Sequence, residues 1–143
     1  MEVNINNIKR AMSETLKQWN FYWQMCDKNG YDTFICPKDL EFEEGDMVYV
    51  NLQVGYPHEL AFAHWCYVVK DMGPKLLVIP AVTPRGSRSE YEMDVINEIG
   101  VSRLQLSDIR TVDKQRIDKR KDPIRVLTPR KSIMKSLNNI IGG

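Results

Sequence analysis

The sequence is short of the residues on which many enzymes and membrane proteins rely. It contains no run of about 18 apolar residues, so no membrane-spanning helix is expected. Only two histidines and three cysteines occur among its 143 residues. The cysteines, Cys26, Cys36 and Cys66, include no C-x-x-C pair, and the N-terminal MEVNINNIKR lacks an apolar signal core. Reduced thiols in a cytoplasmic protein are the expectation, with Cys66 buried as a small apolar side chain. No G-K-[ST] phosphate loop, no G-x-S-x-G elbow and no D-x-D pair is present. The expected chemistry therefore uses no metal and no cofactor.

Net charge is also small, at +1, but it is unevenly distributed. Residues 1–83 carry 7 basic and 11 acidic residues, a net of −4; residues 84–143 carry 13 and 8, a net of +5. Ten basic residues and three acidic ones fall between Arg110 and Lys135. A near-neutral total is thus compatible either with two solvated faces or with a basic surface for phosphates.

Apolar spacing predicts a helix over residues 4–24, with Ile5, Ile8, Met12, Leu16, Trp19 and Trp23 on one face and Asn4 or Asn6 as its cap. That stripe suits core packing or docking. Residues 27–46, with Asn29-Gly30, Pro37 and the acidic run from Asp39 to Asp46, read as a boundary. Residues 1–44 are accordingly expected to be an N-terminal helical extension and acidic linker, and 45–143 the main domain. Strands are expected at Met47–Leu52, Trp65–Val69 and Leu76–Val82, the last two joined by a hairpin at Asp71-Met72-Gly73-Pro74. Thr83–Glu92 reads as a surface loop. Leu104–Ile109, Thr111–Ile117 and Ile124–Leu127 complete the strands. Thr128 and Pro129 open a last helix with Ile133, Leu137, Ile140 and Ile141 on its apolar face. The fold class expected is mainly β with helices (α+β), a small curved barrel with a C-terminal helix and an additional N-terminal helix.

Both histidines, His58 and His64, lie in one inter-strand segment, GYPHELAFAHW, together with Glu59. Histidine exchanges protons near neutral pH, so this segment is a candidate for acid–base chemistry, or for ordinary backbone hydrogen bonding. The second polar cluster is TPRGSRS. Thr83 ends an apolar strand, Arg85 and Arg88 suit phosphate oxygens, Ser87 can donate to the same oxygens, and Gly86 permits close approach. RNA cleavage by the substrate's own 2′-hydroxyl needs only such a kit.

GDMVYVNL (45–52), the E-x-x-x-x-H of 59–64, VIPAVT (78–83) and LSDIRTVDKQRI (106–117) follow one another in the chain. In these blocks the sequence resembles the MazF/PemK toxin endoribonucleases, over some two-thirds of its length. The resemblance implies an SH3-like β-barrel, usually homodimeric. It further implies metal-independent cleavage of single-stranded RNA and a cognate antitoxin protein. Thr83 falls on the family's catalytic threonine and Glu59 on its loop glutamate. His64 stands where the family usually has arginine, which replaces a fixed charge by a group that exchanges protons. Pro57 and His58 replace the glycine and serine before that glutamate.

The leading expectation is an endoribonuclease with His64, Thr83, Glu59 and His58 as catalytic residues. RNA binding is assigned to Arg85, Ser87, Arg88, Lys114, Gln115, Arg116, Lys119 and Arg120. The alternative is a non-catalytic SH3-like module that binds RNA or protein.

Overall fold

The computed structural model describes residues 5–29, 40–53 and 58–142. The expected boundary at Gly30 and Pro37, and the cap Asn4, lie outside the described residues. The first element is the helix α1 (Ile5–Asn29), longer than the apolar spacing suggests. Seven antiparallel strands follow: β1 (Asp46–Asn51), β2 (Ala63–Asp71), β3 (Lys75–Val82), β4 (Glu92–Asn97), β5 (Gly100–Gln105), β6 (Arg110–Asp113) and β7 (Ile124–Arg125). The helix α2 (Arg130–Ile141) closes the chain. The protein is therefore α+β. Among the described residues, no helix is long and apolar enough to cross a membrane.

The strands are ordered β4-β5-β3-β2-β1-β7, and β6 also pairs with β3. β3 is the shared element: its first half pairs with β6, from Lys75↔Asp113 to Val78↔Arg110, and its end with β5, at Ala81↔Leu104 and Val82↔Arg103. Strand β2 pairs with both β1 and β3 and slips register between Val68 and Lys70. The adjacent Val68 and Val69 are both buried, each in a different core, as alternation along a strand places them. The outermost strands also meet: Asn97 bridges Val126, and Glu98 donates its backbone N–H to Arg125 at 3.1 Å.

Period-two alternation divides the apolar side chains between two cores. Met47, Tyr67, Ile79, Val95, Leu104 and Leu106 pack with Ile133 and Leu137 of α2. Val48, Val50, Cys66, Val68, Leu76, Val78, Val112 and Ile117 form the second. Arg130 fixes α2 to the sheet by donating from Nη2 to the Val69 carbonyl at 2.6 Å. Gly73 turns the β2–β3 hairpin with a φ of +91°, as its place in the expected turn requires.

Several sequence expectations change: the expected strands Leu104–Ile109 and Thr111–Ile117 each give way to a single tight helical turn, at Leu106–Asp108 and Lys114–Arg116, and Asn6 lies inside α1 instead of capping it. Glu92–Asn97, which carries no expected element beyond the loop ending at Glu92, is a strand, and its Asp94 is paired with Arg103 across the sheet. Thr128 does not cap α2. Pro129 takes the cap position, and the Thr128 hydroxyl instead accepts the Ile96 N–H at 2.8 Å.

Candidate functional site

The base of the β1–β2 connection and the end of β3 come together at one end of the central strands. The connection is pinched at its base: Leu52 N–H donates to Phe62 and Phe62 N–H to Gln53, each at 2.7 Å. Gln53 and Phe62 both have positive φ, +68° and +70°. Two non-glycine residues held in this region cost about 1 kcal/mol or more each, a concentration of strain typical of functional loops. His58 and Glu59 are carried exposed on this connection.

His64 is half-buried at the start of β2, opposite Val50. Its Nδ1 lies 3.1 Å from the Ala81 carbonyl and its Nε2 2.8 Å from the Ala61 carbonyl. A neutral imidazole donates one hydrogen bond, so only one of these carbonyls then receives a proton donor; the imidazolium serves both. The ring thus ties the connection to the end of β3. Thr83 follows two residues beyond Ala81 and is exposed. The structure therefore brings together His64 and the Thr83 end of β3.

The loop carrying Arg85, Gly86, Ser87 and Arg88 is exposed, and it is anchored by a residue the sequence reading did not single out. Arg103, buried on β5, donates from Nη1 to the Arg85 carbonyl at 2.9 Å and from Nη2 to the Gly86 carbonyl at 3.2 Å. Its other edge grips Asp94 through Nε at 2.8 Å and Nη2 at 3.2 Å. This bidentate bond holds the Asp94 carboxyl below its usual range and raises Arg103 further. Gly86 supplies the positive φ, +59°, at which the loop turns.

A second group lies on the LSDIRTVDKQRI segment, where Arg116 was expected to bind RNA and Arg110 and Asp108 were not singled out. Arg110 opens β6, and Arg116 ends the single-turn helix Lys114–Arg116. Burial and the neighbouring Arg110 charge both depress Arg116. Among the described residues, the buried Nη1 of Arg116 has no hydrogen-bond partner. Val50 pairs with His64 on one side and bridges Ile117 on the other, so Arg116 lies beside the level of β1 that His64 occupies. Asp108 is half-buried just before Arg110, and its carboxyl is raised by burial and by the Glu59 charge. The Glu59 charge is therefore close enough to act on Asp108.

The remaining candidates divide. Lys114 is buried; its Nζ lies 2.9 Å from Asp71 Oδ1 and 5.9 Å from the centre of the Phe42 ring. Gln115 is half-buried, and its backbone N–H donates to Asp113 Oδ1 at 2.8 Å. Arg120 is exposed and bidentate with Asp118, and Lys119 beside it is exposed. Lys114 thus sits within the fold, apart from the exposed Lys119 and Arg120. Cys66 is a free, fully buried thiol, pushed up to about 12 by burial, which makes it inert. Among the described residues, no group of three or more His, Cys, Asp or Glu side chains could hold a metal ion.

A scan against protein-family models and a search of curated proteins match nothing to this chain.

Proposed function

We propose that the protein is a toxin-type endoribonuclease of the MazF/PemK kind, cleaving single-stranded RNA in the cytoplasm. The observation that carries this reading is the Arg110–Arg116 pair. One guanidinium nitrogen is buried without an acceptor among the described residues, beside the β1 level shared by His64. Burying a cation with an unused donor is costly, and a phosphate oxygen is the ligand that would offset it.

In the proposed reaction the substrate's 2′-oxygen attacks the adjacent phosphorus, its proton is removed, and the 5′-oxygen leaves with a proton. The products are a 2′,3′-cyclic phosphate and a 5′-hydroxyl end. Arg110 and Arg116 would stabilise the charge of the phosphorane, and the Thr83 hydroxyl would donate to a non-bridging oxygen. His64 would transfer one proton, with His58, Glu59 or Asp108 as the other carrier. The bonds joining β4 to the β7 end support closure of the sheet into an SH3-like barrel. A cognate antitoxin and a homodimer are part of the same proposal.

One observation favours a second reading, a non-catalytic RNA-binding module: both ring nitrogens of His64 already face backbone carbonyls. The same experiment separates the two. Purified protein is incubated with a long RNA in chelator, alongside His64→Ala and Arg110→Ala/Arg116→Ala. Discrete cuts with cyclic-phosphate ends, lost in His64→Ala, are expected. Wild-type cleavage by His64→Ala would sink the catalytic role of His64. RNA bound by the wild type but left intact would support the module.

A further inference from the structure

The helix α1 touches the body with only part of its surface. Ile8, Ala11, Thr15, Gln18 and Tyr22, spaced three and four apart, are its half-buried or buried side chains. Gln53 Nε2 donates to Gln18 Oε1 at 3.3 Å on that face. The adjoining face is partly exposed: Ile5 is 64% exposed, Met12 53%, Leu16 63%, and the mutually stacked Trp19 and Trp23 45% and 44%. These five form a straight apolar ridge about 27 Å long, at 1.5 Å per residue. A continuous ridge of this kind on a surface marks an interaction site.

We propose that this ridge pairs with the α1 ridge of a second copy, antiparallel about a two-fold axis near Glu14. The spacing is self-complementary in that register. Ile5 falls opposite Trp23 of the other copy, and Met12 opposite Leu16. Lys9, the charge that borders the ridge, falls opposite Trp19, where an ammonium over an indole face is attractive. Large side chains thus meet small ones at both ends. The other cations, Arg10, Lys17 and Lys28, project from the far side of the helix, so no like charges meet in the interface. Glu14 also points away, close enough to act on Arg120 of the body. Two such ridges offer on the order of 1,000 Å² of combined area, the lower bound for a specific interface. A closed two-fold pair also removes the exposed ridge from solvent without leaving a new one. A lipid surface would bury the same side chains but would take no advantage of this pairing.

Sedimentation of the full chain over a concentration series tests the proposal, with Leu16→Glu as the comparison. Leu16 is exposed, so the variant is expected to fold, and circular dichroism checks that it does. The variant is expected to have half the mass of the wild type at the same concentration. A second measurement reads the register. A mixture of Met12→Cys and Leu16→Cys proteins, treated with a short bis-maleimide, should yield 12–16 cross-links between copies. Equal masses for wild type and Leu16→Glu would overturn the proposal. So would cross-links confined to identical positions, or binding of the wild type to phosphatidylglycerol vesicles without self-association.

Discussion

Replacing Lys114 with methionine distinguishes a structural role for this lysine from an RNA-binding one. Its ammonium lies 2.9 Å from Asp71 Oδ1, with the Lys114 side chain 11% exposed and that of Asp71 40%. A fully buried pair broken on one side would cost about 3–5 kcal/mol. Solvent at Asp71 screens this pair, so about 1 kcal/mol is the better expectation. The contact with the Phe42 ring adds about 0.5 kcal/mol. Methionine keeps the apolar stem packed, which leaves about 1–2 kcal/mol lost in all. For a chain of 143 residues that lowers Tm by about 3–6 °C. The loss depends on pH. The hydrogen bond from Lys114 holds the Asp71 carboxyl below its usual value of 3.8, so the native state binds fewer protons there than the unfolded chain. The stabilisation is full above that value and disappears as pH falls through the lower native one. Thermal melts should therefore show a gap between wild type and variant at neutral pH that narrows in acid. RNA affinity and its salt dependence should barely change. An unchanged Tm with weaker, less salt-sensitive RNA binding would refute the structural role.

Two further outcomes are expected. Arg103→Met should release the Arg85 and Gly86 carbonyls, raising amide exchange across residues 83–89 and slowing the proposed cleavage although Thr83 is intact; unaltered exchange would remove the anchoring role. Asp108→Asn should be more stable than the wild type at neutral pH. Burial, and then Glu59, raise the Asp108 carboxyl above its usual 3.8, so the native state loses stability as pH rises through that window. The advantage should vanish in acid, and a variant less stable than wild type at pH 7 would show that the ionised carboxyl makes a favourable contact.

Much of the fold was legible because local rules and global packing agree there. β1, β2 and β3 are rich in β-formers, and Gly73 takes the conformation that its hairpin position demands. β4 was not legible. Its Asp94 interrupts the apolar pattern, and its place in a strand is explained only by Arg103 lying across from it. Thr128 looked like a helix cap because an N-cap hydroxyl and a hydroxyl that accepts from a distant strand have the same local sequence. In the candidate site, His64 was singled out by its residue type, Thr83 by its place at a strand end, and both by the resemblance. Arg103, Arg110 and Asp108 could not be singled out, because their significance lies in burial and in neighbours far along the chain.

By itself the sequence determined the α+β composition, the early strands, both helices and the concentration of positive charge after residue 83. Periodicity and turn chemistry act over a few residues, so they can be read without knowing what packs where. Only the tertiary structure decided which charges are used up and which remain. It buried Lys114 against Asp71, turned Arg103 into an anchor, and left Arg116 with an unused donor among the described residues. It also decided that α1 meets the body at Gln18 and Gln53 and leaves its apolar ridge partly exposed. These outcomes depend on dielectric and distance between residues remote in sequence, and no local pattern encodes either.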